Sequence, residues 1–232
     1  MILKSSQRAH IGQTIAANRS FLLPYVVFCL LFLSLILKYS NSTFFLFVNG
    51  LNSEILDTLF YYFTYLGDGA LAIILVIGLL WVSYRDALTF LVITLLITVI
   101  VSILKDHVFP ELNRPVAFFG ASQYLHIVAG YKPPILSTFP SGHTATAFSI
   151  GLYLSILSKQ NLTKYILFTT AFFVGYSRMY LSAHFPADVV GGATLGVLLT
   201  LLCHHLSQFS NGSWGDKHIQ YKPKFFSWGP KS

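Results

Sequence analysis

Apolar residues run along this chain in six long stretches, near Phe21–Leu37, Ala70–Tyr84, Ala87–Leu104, Gly142–Leu157, Tyr165–Leu181 and Ala187–Leu202, with short polar breaks between them. Each is about as long as the ~20 helical residues that cross a hydrocarbon core, once flanking Tyr, Ser or Trp at the interface are counted. The pattern predicts an all-α fold, a polytopic membrane bundle of six transmembrane helices. Between the first two stretches, Ile55, Leu56, Leu59, Phe60, Phe63 and Leu66 recur at helical spacing, and Glu54, Asp57, Thr58 and Tyr61 take the opposite face. Asn52 or Ser53 is placed to cap this segment and Gly67 to end it. It reads as a short outer interfacial helix, with packing across the bundle ends as the equal alternative.

Composition sharpens this picture. The chain is 54% hydrophobic and 10% charged, with mean hydropathy +0.65, which excludes an ordinary soluble domain. Six spans account for the 232 residues, so residues 1–232 read as a single integral membrane domain. Basic residues precede the first stretch, as in a signal peptide. Its 17-residue run and the absence of a small-x-small site at Lys38-Tyr39-Ser40 make it an uncleaved helix instead. Lys4, Arg8, Arg19, Arg85, Lys159, Lys164, Lys217, Lys222, Lys224 and Lys231 fall on one side of the predicted membrane. Lys38, Lys105, Arg114, Lys132 and Arg178 fall on the other. Positive-inside bias then puts residues 1–20 and a basic tail over 206–232 in the cytoplasm. The net charge of +7 is mostly this topological signal, and the tail suits anionic inner-leaflet lipid rather than nucleic acid. Cys29 and Cys203 lie in or beside spans, so neither a disulfide framework nor a zinc site is expected.

Three clusters gather on the outer side. Lys105 precedes Arg114-Pro115; Pro140-Ser141-Gly142-His143 opens the fourth span; Ser177-Arg178 is followed by His184 and Asp188. A helix N-terminus at Gly142 turns free N–H groups and the positive dipole end outward, a ready anion site, where Gly142 admits close backbone approach and Ser141 caps or donates. Arg114 and Arg178 offer planar forks for phosphate oxygens and Lys105 a mobile point charge. Together they are able to neutralise a phosphoryl dianion with no metal and no cofactor. His184 and Asp188 are four apart, with Pro186 at the start of a helix between them. The carboxylate is placed to take the imidazole Nδ1–H and leave Nε2 as a nucleophile. His143 supplies a second imidazole for general acid catalysis. Taken singly, each element has a bland structural reading: a helix cap, a cation snorkelling at a span end, a His–Asp pair tying a loop.

Together the clusters resemble the type 2 phosphatidic acid phosphatase family, whose fold and site are shared with vanadium haloperoxidases. Pro140 to His143 matches the family's second motif in full. Ser177, Arg178, His184 and Asp188 match the third at its spacing. The first motif departs, since eight residues separate Lys105 from Arg114 where the family has six, which suggests an insertion looped out around Phe109-Pro110. The resemblance implies a phosphohistidine mechanism in which His184 attacks phosphorus and His143 protonates the leaving oxygen. Lys105, Arg114, Arg178 and the amides around Ser141 and Gly142 would hold the phosphoryl oxygens. The expected substrate is a membrane lipid phosphate at the outer leaflet: undecaprenyl diphosphate, phosphatidylglycerol phosphate, phosphatidic acid or a lipid A phosphate. The apolar stretch 116–139 is read as lining an acyl or prenyl entrance, with structural filler over the bundle top as the equal alternative for most of its residues. The expected setting is a bacterial inner membrane with the site on the periplasmic side. A haloperoxidase-like activity and a phosphatase acting on a soluble phosphorylated sugar are the alternatives within the enzyme class. A lipid transporter fits poorly, because the segments Ala87–Leu104, Tyr165–Tyr176 and Val189–Cys203 hold no acidic or basic side chain to line a path.

Overall fold

The structure, a computed structural model, describes residues 5–209 and residue 217. Most of the predicted basic tail over 206–232 therefore lies outside the described residues. Those described are mostly helical, with an irregular segment over 120–141 and no strand among them. In chain order the helices are α1 (Ser5–Ala17), α2 (Arg19–Tyr39), α3 (Asn41–Gly50), α4 (Glu54–Phe63), α5 (Gly69–Leu79), α6 (Tyr84–Ile103), α7 (Pro115–Phe119), α8 (Gly142–Leu157), α9 (Asn161–Tyr180) and α10 (Pro186–Ser207). A 3₁₀ turn, Thr64–Gly67, continues α4, and a π turn, Leu104–Val108, continues α6.

Local chemistry sets many of these boundaries. Ser40, Ser53, Asp68, Ser83 and Ser141 each accept a backbone N–H of the following first turn with their side chains. Such caps satisfy donors that a helix start leaves orphaned. Pro186 opens α10, where its missing N–H costs nothing.

Three helices are long and apolar enough to cross a membrane by themselves: Arg19–Tyr39, α6 with its π turn (Tyr84–Val108), and Pro186–Ser207. Glu54–Gly67 and Gly69–Leu79 meet at a 50° bend and together make a fourth, broken candidate. This departs from six uniform spans, for physical reasons. The stretch expected over Ala70–Tyr84 is helical only to Leu79, and Tyr84 already starts the next helix. At 16 residues α8 rises about 24 Å, short of a ~30 Å core, and α9 carries Lys164, Arg178 and several hydroxyls. Both helices are packed among the others, so neither needs an apolar surface all round.

On the outside, Leu23, Val27, Leu30 and Leu37 of α2, Ile73 and Ile74 of α5, and Leu95 and Val99 of α6 are exposed. Apolar exposure on this scale belongs in lipid, and the chain is an integral membrane protein. Inside, α8 is the central element. Gly192 and Gly196 let α10 lie directly on it: a Cβ at either position would stand 2.3 Å from the carbonyl oxygen of Ser141 or of Ala145. On the other flank Phe28 stacks on Phe148 with centroids 5.7 Å apart, and Phe21 meets Phe168 edge-on, joining α2, α8 and α9. At the end of the bundle away from the histidines, Lys164 Nζ donates to Ala17 O at 2.6 Å and Ser155 Oγ to Asn18 Oδ1 at 2.8 Å, fastening α1 and α2.

Candidate active site

The end of α6, the start of α8, the end of α9 and the start of α10 converge. Ser141 N donates to Asp188 O at 3.0 Å, so the first turns of α8 and α10 are joined through their backbones. The Ser141 side chain is fully buried and spent on the helix, accepting from Thr144 N at 3.4 Å and Thr144 Oγ1 at 2.8 Å. Gly142 and His143 follow at the open helix start.

His184 lies between Asp188 and Arg114. Its Nδ1 is 3.3 Å from Asp188 Oδ2, and Arg114 Nη1 is 3.1 Å from its Nε2. A guanidinium has donors only, so Nε2 must carry the lone pair and Nδ1 the proton. The tautomer is thus set from both ends of the ring. Asp188 Oδ2 also accepts from Phe185 N at 2.8 Å and from the Thr138 hydroxyl. Arg114 is in turn held by carbonyls, Nε to Leu136 O at 2.8 Å and Nη1 to Ala183 O at 3.0 Å. Burial, followed by the charges of Arg114, Arg178 and Lys105, keeps His184 well below the ordinary imidazole value, so the ring is neutral at neutral pH. Burial and the nearby Arg178 bring Arg114 down to about 10, which still leaves it cationic there.

Arg178 is 4% exposed. Its Nη1 donates to Thr64 Oγ1 at 2.6 Å and its Nη2 to Tyr131 Oη at 3.1 Å, while Nε meets no acceptor among the described residues. A buried guanidinium nitrogen without an acceptor is costly unless something anionic arrives. His143 is more open, with Nε2 3.9 Å from Asp68 Oδ2. Lys105 sits inside the π turn, where Phe109 N reaches back to Leu104 O at 2.7 Å. A π turn holds one residue more than an α turn, so Lys105 is presented from a locally widened turn.

A cavity of about 370 Å³ reaches Lys105, Gly142 and His143 and is walled by Gly67, Gly69, Ile97, Thr98, Val101, Ser102, Asp106 and Thr146. It opens between α5, α6 and α8. His184, 2% exposed, lies behind it, covered at Nε2 by Arg114. None of residues 116–139, expected to line the entrance, borders this cavity. They pack as a cap over the bundle end, the alternative reading of this stretch: Phe119 stacks on Phe45, Phe118 packs on Phe185, and Val128 is buried beside Phe60 and Tyr180.

The eight residues singled out from sequence, Lys105, Arg114, Ser141, Gly142, His143, Arg178, His184 and Asp188, thus meet at one end of the bundle. Thr138, Thr64, Tyr131 and Asp68 join them and were not anticipated. Of these, Thr138 alone had a signal, as a hydroxyl two residues before Pro140.

The profile of the PAP2 superfamily matches residues 86–211. A bacitracin transport permease protein, BcrC, of Bacillus licheniformis is 43% identical over 65 residues, 28% of this chain and 31% of that protein. Phosphatidylglycerophosphatase B of Bacillus subtilis is 40% identical over 74 residues, 28% of this chain and 36% of that protein. The matched segments thus span about a third of these curated relatives. The crystal structure of Aquifex aeolicus LpxE superposes with a TM-score of 0.62 at 32% identity, covering 69% of this chain and 92% of that one.

Proposed function

The chain belongs to the PAP2 superfamily, and from that premise we propose that it removes phosphate from a membrane lipid phosphomonoester or diphosphate at the outer leaflet, through a phosphohistidine on His184. The observation that carries this reading is the lone pair on His184 Nε2, imposed by Arg114 on one side and Asp188 on the other.

In the proposed reaction a phosphoryl group enters the cationic cluster and draws Arg114 from Nε2 to its own oxygens. Lys105, Arg178 with its spare Nε, and the free amides at Gly142 and His143 hold the remaining oxygens as charge rearranges, a preorganised electrostatic stabilisation. Nε2 donates its pair to phosphorus, the bond to the leaving oxygen breaks, and that oxygen takes a proton from His143. Asp188 stabilises the positive charge spread over the ring. Water then attacks the phosphorus, His143 recovers its proton, and the P–N bond returns its pair to His184.

The cavity's position supports a lipid. Its walls descend from the headgroup-level cations onto Ile97 and Val101 of α6 and Thr146 of α8. A phosphate seated at Lys105 and His143 would leave its chain in this slot, facing the bilayer between α5 and α6. In this reading α2, α5, α6, α8, α9 and α10 cross the membrane, both termini are cytoplasmic, and the site faces the periplasmic side of a bacterial inner membrane. The substrates to test are phosphatidylglycerol phosphate, for which one matched relative is named, undecaprenyl diphosphate, phosphatidic acid and lipid A phosphates.

The test is phosphate release from that lipid panel by detergent-purified protein. His184→Ala should lower turnover by about 10³-fold or more, and wild-type protein quenched during turnover should carry acid-labile phosphate. Substantial turnover by the His184→Ala protein would eliminate the covalent route.

A further inference from the structure

Asp68 stands at the bend between the Thr64–Gly67 turn and α5, and its two carboxylate oxygens serve different neighbours. Oδ1 accepts from Ala70 N at 2.8 Å and caps α5. Oδ2 faces His143 Nε2 at 3.9 Å, an ion-pair distance rather than a hydrogen bond. The turn that carries it is fastened to the site twice over. A Cβ on Gly67 would stand 2.6 Å from His143 O and 2.6 Å from Val174 Cγ1, so only glycine lets this backbone lie against the start of α8. One turn earlier, Thr64 receives Arg178. The carboxylate is therefore delivered to the imidazole by a segment locked onto both motif-bearing helices.

We propose that Asp68 is the positioning residue for His143, an assignment that rests on the phosphatase reading above. Its carboxylate stands at ion-pair distance on the Nε2 side of His143, leaves Nδ1 for the reacting oxygen, and balances the charge of the imidazolium that protonates the leaving group. Lys105, Arg114 and Arg178 place three positive charges around the same ring, and Asp68 is the carboxylate that answers them. The arrangement parallels His184 with Asp188, one ring nitrogen on a carboxylate and the other on the reacting atoms. It differs in exposure: the side chains of His143 and Asp68 are 35% and 43% exposed, against 2% and 4% for the buried pair. Solvent screening makes this a moderate contribution.

Asp68→Asn separates the two duties, because Asn still caps α5 while the charge is gone. Protonation of the leaving oxygen matters for an alkoxide and hardly for a nitrophenolate. The measurement is therefore kcat/KM, which reports the transfer to His184, for an alkyl phosphate and for a nitrophenyl phosphate bearing the same alkyl chain. Asp68→Asn should lose about 10-fold or more on the alkyl ester and stay within about 2-fold on the nitrophenyl ester. Asp68→Ser, which also caps, should follow the same pattern, and His143→Ala should exaggerate it. Equal losses on both esters would reduce Asp68 to a support of α5, and no loss on either would remove it from the reaction. Either result overturns the proposal while leaving the phosphatase standing. A wild-type protein that releases phosphate from neither ester would instead overturn the phosphatase reading, and this inference with it.

Discussion

The Thr138 hydroxyl donates to Asp188 Oδ2 and lies 3.4 Å from His184 Nδ1, and Thr138 N donates to Leu112 O at 3.0 Å. One residue thus ties the carboxylate to the loop that presents Arg114. Thr138→Val keeps the volume and removes the donor, leaving Asp188 Oδ2 with Phe185 N and the imidazole. Second partners of this kind are worth roughly 10–100-fold in activity. We expect kcat to fall in that range with KM nearly unchanged, and Thr138→Ser to stay near wild type; a change confined to KM would make Thr138 a binding residue. The contrast with His184 and Asp188 shows what the sequence makes visible at this scale. Those two are four apart on one helix start, so spacing alone brings them together. Thr64 and Tyr131 are ordinary residue types carried in from other elements by chain folding, and no spacing marks them; Thr138 had only its place two residues before Pro140.

Between elements, the tightest constraint is where α10 crosses α8. Gly192 and Gly196, four apart, put the α10 backbone against Ser141 O and Ala145 O, the close approach that small residues allow in membrane bundles. A methyl at 192 has no flexible neighbour to push aside, since the atom it meets is backbone. Gly192→Ala should force the helices apart, cost about 1–3 kcal/mol, and shift the anion-facing start of α8. Gly78→Ala meets nothing within 4 Å and serves as the control. We expect a lowered Tm in detergent and reduced phosphate release for the first variant and neither for the second; an unaffected Gly192→Ala protein would show that the contact is slack. The lipid-facing helices α2 and α6 were readable because their surroundings demand uninterrupted apolar runs. The buried α8 and α9 are less apolar than span rules require, because neighbouring helices rather than lipid receive their hydroxyls. Neither α3 nor the π turn at Lys105 had a signal, since one is short and the other is a change of hydrogen-bond register within a helical run.

For the molecule as a whole, the ten-to-five division of basic residues predicts which end faces the cytoplasm. Gln123 lies exposed on the cap over the histidine cluster, and Gln160 lies exposed before α9 at the opposite end. Single cysteines at these positions, in a chain lacking Cys29 and Cys203, should react differently with a membrane-impermeant thiol reagent on intact cells. Labelling is expected at Gln123→Cys and not at Gln160→Cys. The reverse pattern would invert the protein and direct it to lipids of the inner leaflet. The cavity between α5, α6 and α8 has a consequence of its own. If lipid enters it sideways as proposed, the site samples a two-dimensional solution, and its substrate concentration is a mole fraction among neighbouring lipids rather than an amount per volume. Its rate then follows how crowded the leaflet is with phosphorylated lipid and falls as that lipid is diluted by inert neighbours, even when the total in the vessel is unchanged. An enzyme working in this proposed way would meter the composition of the surface it is embedded in.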